Sequence, residues 1–126
     1  MKLLYVAGPY RAATEWALEQ NIRAAEAATV RLVQMGYAVI CPHKNSAHLG
    51  GVAPDETWLQ ICLEIVSRCD AIYLLKGWRQ SKGAKREWKR AIACKLEIYE
   101  EGRREPPDLN STTATFDLDR VEVFSQ

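Results

Sequence analysis

The sequence predicts an α/β fold: one domain built on a doubly wound parallel sheet of four to five strands, with helices on both faces. Three observations carry that expectation. Short apolar runs alternate along the chain with longer stretches of helical periodicity. The runs at residues 3–7, 37–41 and 70–75 are almost continuously apolar, as strands covered on both faces must be. The segments between them are long enough for the crossovers that parallel neighbours require. A chain of 126 residues supports one hydrophobic core of this kind.

The first strand, residues 3–7, is followed by Gly8-Pro9-Tyr10-Arg11, a tight strand-to-helix loop. A long helix follows from about Thr14 to Met35. Thr14 is a good N-cap, Gly36 a C-terminal stop, and Ala17, Ala24, Ala28, Leu32 and Met35 have helical spacing. Residues 37–41 form the second strand, closed by Pro42. Residues 42–54 read as a loop without regular structure, holding His43, Asn45, Ser46, His48, Gly50 and Gly51; a loop of that length in a compact domain is usually functional.

A second helix starts at Asp55 and ends near Arg68, with Trp58, Leu59, Cys62, Ile65 and Val66 on its inner face. The third strand, residues 70–75, is ended by Gly77. Ser81 is a fitting N-cap for a helix running through Glu87 to about Lys95, with Gly83 in its first turn and Ala84, Trp88, Ala91 and Ile92 as its apolar stripe. Residues 96–99 suit a fourth strand. The arrangement is Rossmann-like or flavodoxin-like, and such sheets bind ligands at the carboxyl ends of their strands. Three loops meet there, at residues 8–13, 42–54 and 76–82.

The domain spans residues 1–102, and residues 103–126 read as a tail. Pro106-Pro107 stops any helix, and residues 111–115 offer little to bury. Val121, Val123 and Phe124 alternate as an added edge strand or a subunit contact would.

A net charge of +1 with 26% charged and 48% hydrophobic residues describes an ordinary soluble protein and gives no reason to expect nucleic acid as a partner. The first apolar run turns at Gly8-Pro9, too soon for a signal peptide or a membrane span, so the expected location is cytoplasmic and no membrane partner is expected. The 4 cysteines, Cys41, Cys62, Cys69 and Cys94, lack metal-site spacing and read as free thiols. His43 and His48 have no further ligand pair at metal-site spacing, so neither a metal nor another cofactor is expected.

Glu87 lies one to two turns inside its helix, where the dipole would keep a carboxylate ionised and directed at the ligand loops, as a nucleophile or general base. The alternative is a surface glutamate beside Arg90. Arg11 offers a planar fork to a phosphate, or is a solvated turn residue. Of the aromatic residues, Tyr10, Trp58 and Trp78 have flat faces for a base. Trp58 and Trp88 fall on core faces, which leaves Trp78 as the loop aromatic expected at the site. Ser81 has N-cap duty and is also placed to bond a sugar or phosphate oxygen.

Five pieces in order resemble the nucleoside 2-deoxyribosyltransferase-like superfamily, closest to its small bacterial and phage members of unknown function. They are Tyr5-Val6-Ala7-Gly8-Pro9-Tyr10; Asn21-Ile22-Arg23-Ala24-Ala25; Cys41-Pro42-His43; Cys69-Asp70-Ala71-Ile72-Tyr73-Leu74-Leu75; and Gly77-Trp78 through Ser81, Gly83, Ala84, Glu87 and Ala91. The resemblance covers roughly residues 1–100. It implies cleavage of an N-glycosidic bond, or deoxyribosyl transfer, on a nucleoside or nucleoside 5′-monophosphate. Glu87 would be the nucleophile in a two-step reaction needing no metal. Taken with the reading of the residues, the expected substrate contacts are Gly8, Pro9, Tyr10, Arg11, His43, Trp78, Ser81 and Gly83; the resemblance itself places Arg11 on the 5′-phosphate and implies a homodimer or higher homo-oligomer. This chain departs from the pattern at Lys85 and Lys89, which flank the glutamate, and at Cys62, where an aspartate is usual. Cys62 motivates an alternative function, a non-catalytic module that binds a nucleotide to sense or sequester it.

Overall fold

Four strands pair in parallel in the order β2-β1-β3-β4: β1 (Leu3–Ala7), β2 (Ala38–Ile40), β3 (Ala71–Leu74) and β4 (Glu97–Glu100). The structure, a computed structural model, describes residues 1–45, 49 and 51–110. The helices are α1 (Glu15–Gln34), a single turn α2 (Pro42–Asn45), α3 (Asp55–Val66) and α4 (Lys82–Ala93), and a 3₁₀ turn (Trp78–Gln80) precedes α4. The single-domain α/β, doubly wound, Rossmann-like architecture is the one expected.

Strand alternation divides the core in two. Leu4 and Val6 of β1, with Ala71 and Tyr73 of β3, point to the face covered by Ala25, Ala28 and Leu32 of α1. Tyr5 and Ala7, with Ile72 and Leu74, point to the opposite face, covered by Val66 of α3 and by Ala84 and Ala91 of α4. Both central strands are therefore buried on two sides, which is why they read as continuous apolar runs. β1 pairs with β2 through Tyr5 and Ile40 and with β3 through Ala7 and Leu74. The chain turns outward in opposite directions from β1, so the gap between β1 and β3 is the topological switch point.

The caps at Thr14 and Ser81 form as expected, accepting from Ala17 N at 3.1 Å and Ala84 N at 3.2 Å. Four details differ from the sequence reading. The buried stripe of α1 is Ile22, Ala25, Ala28 and Leu32, with Ala24 exposed; the alanine-rich stretch leaves the helical phase open until the long side chains find the sheet. Ile92 of α4 is exposed, its place on the inner face being taken by Glu87. Pro42 begins a helical turn, a position where its missing N–H costs nothing, so residues 42–54 are not wholly irregular.

The fourth difference concerns the tail. Residues 103–110 run back from β4 to the far end of α1: Tyr37 Oη donates to Pro107 O at 2.7 Å, and Leu109 N to Met35 O at 2.9 Å. Asn110 Nδ2 donates to Gln34 O at 3.0 Å, and Pro106 is buried. The expected strand at Val121, Val123 and Phe124, the polar stretch at residues 111–115, and Ser46, His48 and Gly50 lie outside the described residues. Among the described residues, no helix is long and apolar enough to cross a membrane.

Candidate functional site

A cavity of about 800 Å³ opens at the switch point. The loop after β1 supplies Gly8, Pro9, Tyr10 and Arg11; α2 supplies His43; and the start of α4 supplies Ser81 and Gly83. Glu87, one turn further along α4, completes the inner wall. Among the described residues, the two buried polar or charged side chains are His43 and Glu87, at 4% and 7% exposure, and both line this cavity. A fold that hides two ionisable groups in the lining of one cavity has placed costly polar atoms where a ligand can meet them.

Glu87 is not paired with Arg90, whose guanidinium bonds Ser67 Oγ at 2.9 Å and Leu63 O at 3.3 Å. Its carboxyl accepts a short hydrogen bond from the Tyr5 hydroxyl in the centre of β1. Burial pushes the carboxyl up to about 7, while the Tyr5 hydrogen bond pulls it back. The expectation of a carboxylate held ionised by the helix end is thereby corrected: burial on the inner face of α4 raises the carboxyl instead. Burial likewise raises Tyr5, and the Cys62 thiol lies near enough to couple to its hydroxyl. The protonated phenol is the donor and Glu87 the acceptor.

His43 Nε2 lies 2.7 Å from Pro9 O, and since a carbonyl only accepts, Nε2 carries the proton. Burial lowers its pKa, so the ring is neutral. It meets Tyr10 edge to face, with centroids 5.3 Å apart and planes at 80°. With Asn21 Nδ2 donating to Tyr10 O at 3.0 Å, the β1 loop is fixed from two sides.

Ion pairs rim the mouth. Arg11 is bonded to Asp55 at the start of α3, so its fork is already engaged. The next residue, Glu56, receives both guanidinium nitrogens of Arg86 at 3.1 Å. Lys85 and Lys89 lie on the exposed side of α4, away from the buried face that holds Glu87.

Two glycines have contrasting reasons. A Cβ on Gly8 would fall 2.7 Å from Leu75 Cβ, so the close approach of the β1 and β3 loops excludes any side chain. A Cβ on Gly83 would meet nothing within 4 Å, so packing does not demand a glycine in the first turn of α4. Gly83 is also one of the residues lining the cavity.

Residues 2–100 match the family described as a domain of unknown function, DUF4406. The chain belongs to that family. No curated protein matches the chain at a significant level. In this DUF4406 member every residue of the cavity, from Gly8 to Glu87, falls inside the matched span, and the returning segment 103–110 falls beyond it.

Of the sequence-predicted site residues, Trp78 is the exception. It is buried at 6% exposure among core residues, 5.3 Å from the Trp88 ring, with its indole nitrogen 3.4 Å from Glu100 Oε2, and it does not line the cavity. The 3₁₀ turn after Gly77, whose φ is +84°, rolls this side chain inward. Trp58, assigned to the core by its helical spacing, lines the cavity with Leu59 and Cys62. Asp55, Glu56 and Gln80 also line it and were not singled out by the sequence. The available signal was the width of the apolar face of α3, broader than one sheet contact uses. Among the described residues, no group of three or more His, Cys, Asp or Glu side chains is arranged to hold a metal ion.

Proposed function

We propose that this protein cleaves the N-glycosidic bond of a nucleoside or nucleoside 5′-monophosphate, or transfers its deoxyribosyl group, with Glu87 as nucleophile. The observation that carries the reading is the buried Glu87 carboxyl in the cavity wall, titrating near neutrality with the Tyr5 hydroxyl hydrogen-bonded to it. The likeness of the motif around Ser81, Gly83 and Glu87 to the nucleoside 2-deoxyribosyltransferase-like superfamily points the same way.

In the first step a Glu87 oxygen forms a bond to the anomeric carbon as the carbon–nitrogen bond breaks, and the base leaves with the electron pair and takes up a proton from water. Positive charge develops on the sugar ring, and the carboxylate beneath it is the stabilising group. The Tyr5 hydrogen bond fixes which oxygen lone pair is free to attack. In the second step water or another base takes the sugar from the ester and releases the carboxylate. Only ionised Glu87 is nucleophilic, so the rate of the first step rises with pH through a midpoint near 7.

Arg11 suits a 5′-phosphate once Asp55 has been displaced from it. Ser81 and the bare Gly83 let a ligand approach the start of α4 closely.

Incubation with a panel of deoxynucleoside monophosphates, with free base followed by chromatography, tests the reading. Wild-type protein is expected to release base and Glu87→Gln to release none; equal release by both, or none by wild type, overturns it. A second reading, binding without turnover, is favoured by the half-buried Cys62 thiol beside Tyr5, since a raised thiol pKa leaves this wall without a second charge to orient a substrate. Calorimetric binding of a monophosphate with no base released would decide for it.

A further inference from the structure

We propose that Trp58 is the platform on which the heterocyclic base of the bound nucleotide lies, its indole N–H donating to an acceptor on the edge of that base. This deepens the proposed function and rests on it. Trp58 lies one turn before Cys62 on the cavity side of α3. Cys62 packs against the core beneath the sheet, and so do Trp88 and Trp78, but Trp58 belongs to neither core cluster. It is nevertheless half-buried, and it lines the cavity.

The indole nitrogen supplies a second, independent observation. Among the described residues Trp58 has no ring partner and its Nε1 has no hydrogen-bond acceptor, although its backbone N–H is satisfied by Pro54 O at 3.2 Å. No buried side-chain nitrogen or oxygen lacks a partner among the described residues, so this N–H is open to solvent and free to take an acceptor. Trp78, by contrast, has its N–H directed to Glu100. A flat apolar face joined to an unspent donor matches a planar heterocycle with ring nitrogens or carbonyls on its rim. It matches a phosphate poorly, because a phosphate has no apolar face to cover the ring, and a sugar lacks the ring nitrogens and carbonyls of a base in the plane of the indole N–H.

The position also agrees with the chemistry. Cys62, one turn beyond Trp58 on α3, couples to Tyr5 and Glu87, so a base against Trp58 lies in the same cavity as the carboxyl. Charged groups stand at the rim, on Asp55, Glu56 and Arg11, where a phosphate remains in contact with water.

The test is a calorimetric titration of wild type, Trp58→Leu and Trp58→Phe with 2′-deoxyadenosine 5′-monophosphate and, separately, with 2-deoxyribose 5-phosphate. Trp58→Leu is expected to weaken the nucleotide by about tenfold or more, the scale of base–aromatic stacking, and to leave the sugar phosphate unchanged. Trp58→Phe keeps a face without the donor and is expected to fall between. Trp58→Phe should also lose most of the nucleotide-induced change in tryptophan fluorescence although the other three tryptophans remain. The inference is overturned if Trp58→Leu binds the nucleotide as wild type does, if it loses both ligands in proportion, or if wild type binds no nucleotide. Should Trp58→Leu fold poorly, the comparison of Trp58→Phe with wild type decides. Base release blocked by Glu87→Gln with Trp58→Leu binding unchanged sinks this inference alone; base release unaffected by Glu87→Gln with Trp58→Leu binding weakened sinks the catalytic reading alone.

Discussion

At the scale of single residues, Glu87 is a liability that the fold tolerates. Its carboxyl titrates near 7 when buried against an ordinary value of 4.5, so the unfolded chain loses this proton first as pH rises. The stability tied to the protonated form is fully present below pH 4.5, declines between 4.5 and 7, and is gone above that. Glu87→Gln keeps an acceptor for Tyr5 and removes the charge. Thermal melts at pH 4 and pH 8 should show the variant gaining on wild type at the higher pH, by up to about 3 kcal/mol. A gap that stays constant between the two would mean that the carboxyl is ionised at an ordinary pKa in the folded protein. Gly83 makes a complementary case. Its added Cβ meets no atom, so Gly83→Ala should stabilise α4 by about 0.5–1 kcal/mol, the usual gain at a helical glycine. Because Gly83 lines the cavity, ligand binding should weaken while the melting temperature rises. Unchanged binding of 2′-deoxyadenosine 5′-monophosphate would remove Gly83 from the site.

At the scale of elements, the start of α3 lacks a capping side chain, Pro54 standing at the N-cap, and Asp55 and Glu56 compensate by meeting the helix dipole and two arginines. Exposed ion pairs of this sort contribute little to stability, so Asp55→Asn should leave the melting temperature almost unchanged. It would free the Arg11 fork. Calorimetry should then find a deoxynucleoside monophosphate bound more tightly than by wild type, with the corresponding nucleoside unaffected; equal effects on both would mean that Arg11 does not meet a phosphate. Element boundaries were largely legible in the sequence, because Thr14, Gly36, Gly77 and Ser81 act locally, through caps and left-handed turns that need no distant partner. Cavity-lining residues on the β1 loop, α2 and the start of α4 were legible for the same reason: strand ends fix where loops converge. Trp58 and Trp78 were exchanged because both carry the same apolar signal, and only the 3₁₀ turn decides which ring rolls into the core. Asp55 as a partner for Arg11 was beyond reach, since 44 residues separate them and nothing local pairs their charges.

At the scale of the whole molecule, the candidate site and the reinforcement sit at opposite ends of the sheet. All four strands run the same way, so their carboxyl ends hold the cavity and their amino ends are left to be closed by other means. Segment 103–110 does this. Tyr73 Oη donates to Glu105 Oε1 at 2.6 Å along the way, and Leu109 and Asn110 then satisfy the carbonyls of Met35 and Gln34 that α1 leaves open at its end. A double variant, Tyr37→Phe with Asn110→Ala, removes two of these hydrogen bonds while leaving the cavity residues untouched. It should lower stability by about 1–3 kcal/mol, read from urea unfolding, since each bond contributes roughly 1 kcal/mol net. The affinity for 2′-deoxyadenosine 5′-monophosphate, measured well below the melting temperature, should equal that of wild type. Affinity falling in step with stability would mean that the two ends of the sheet are coupled through the strands, and that the far end helps to position Tyr5 and, through it, Glu87.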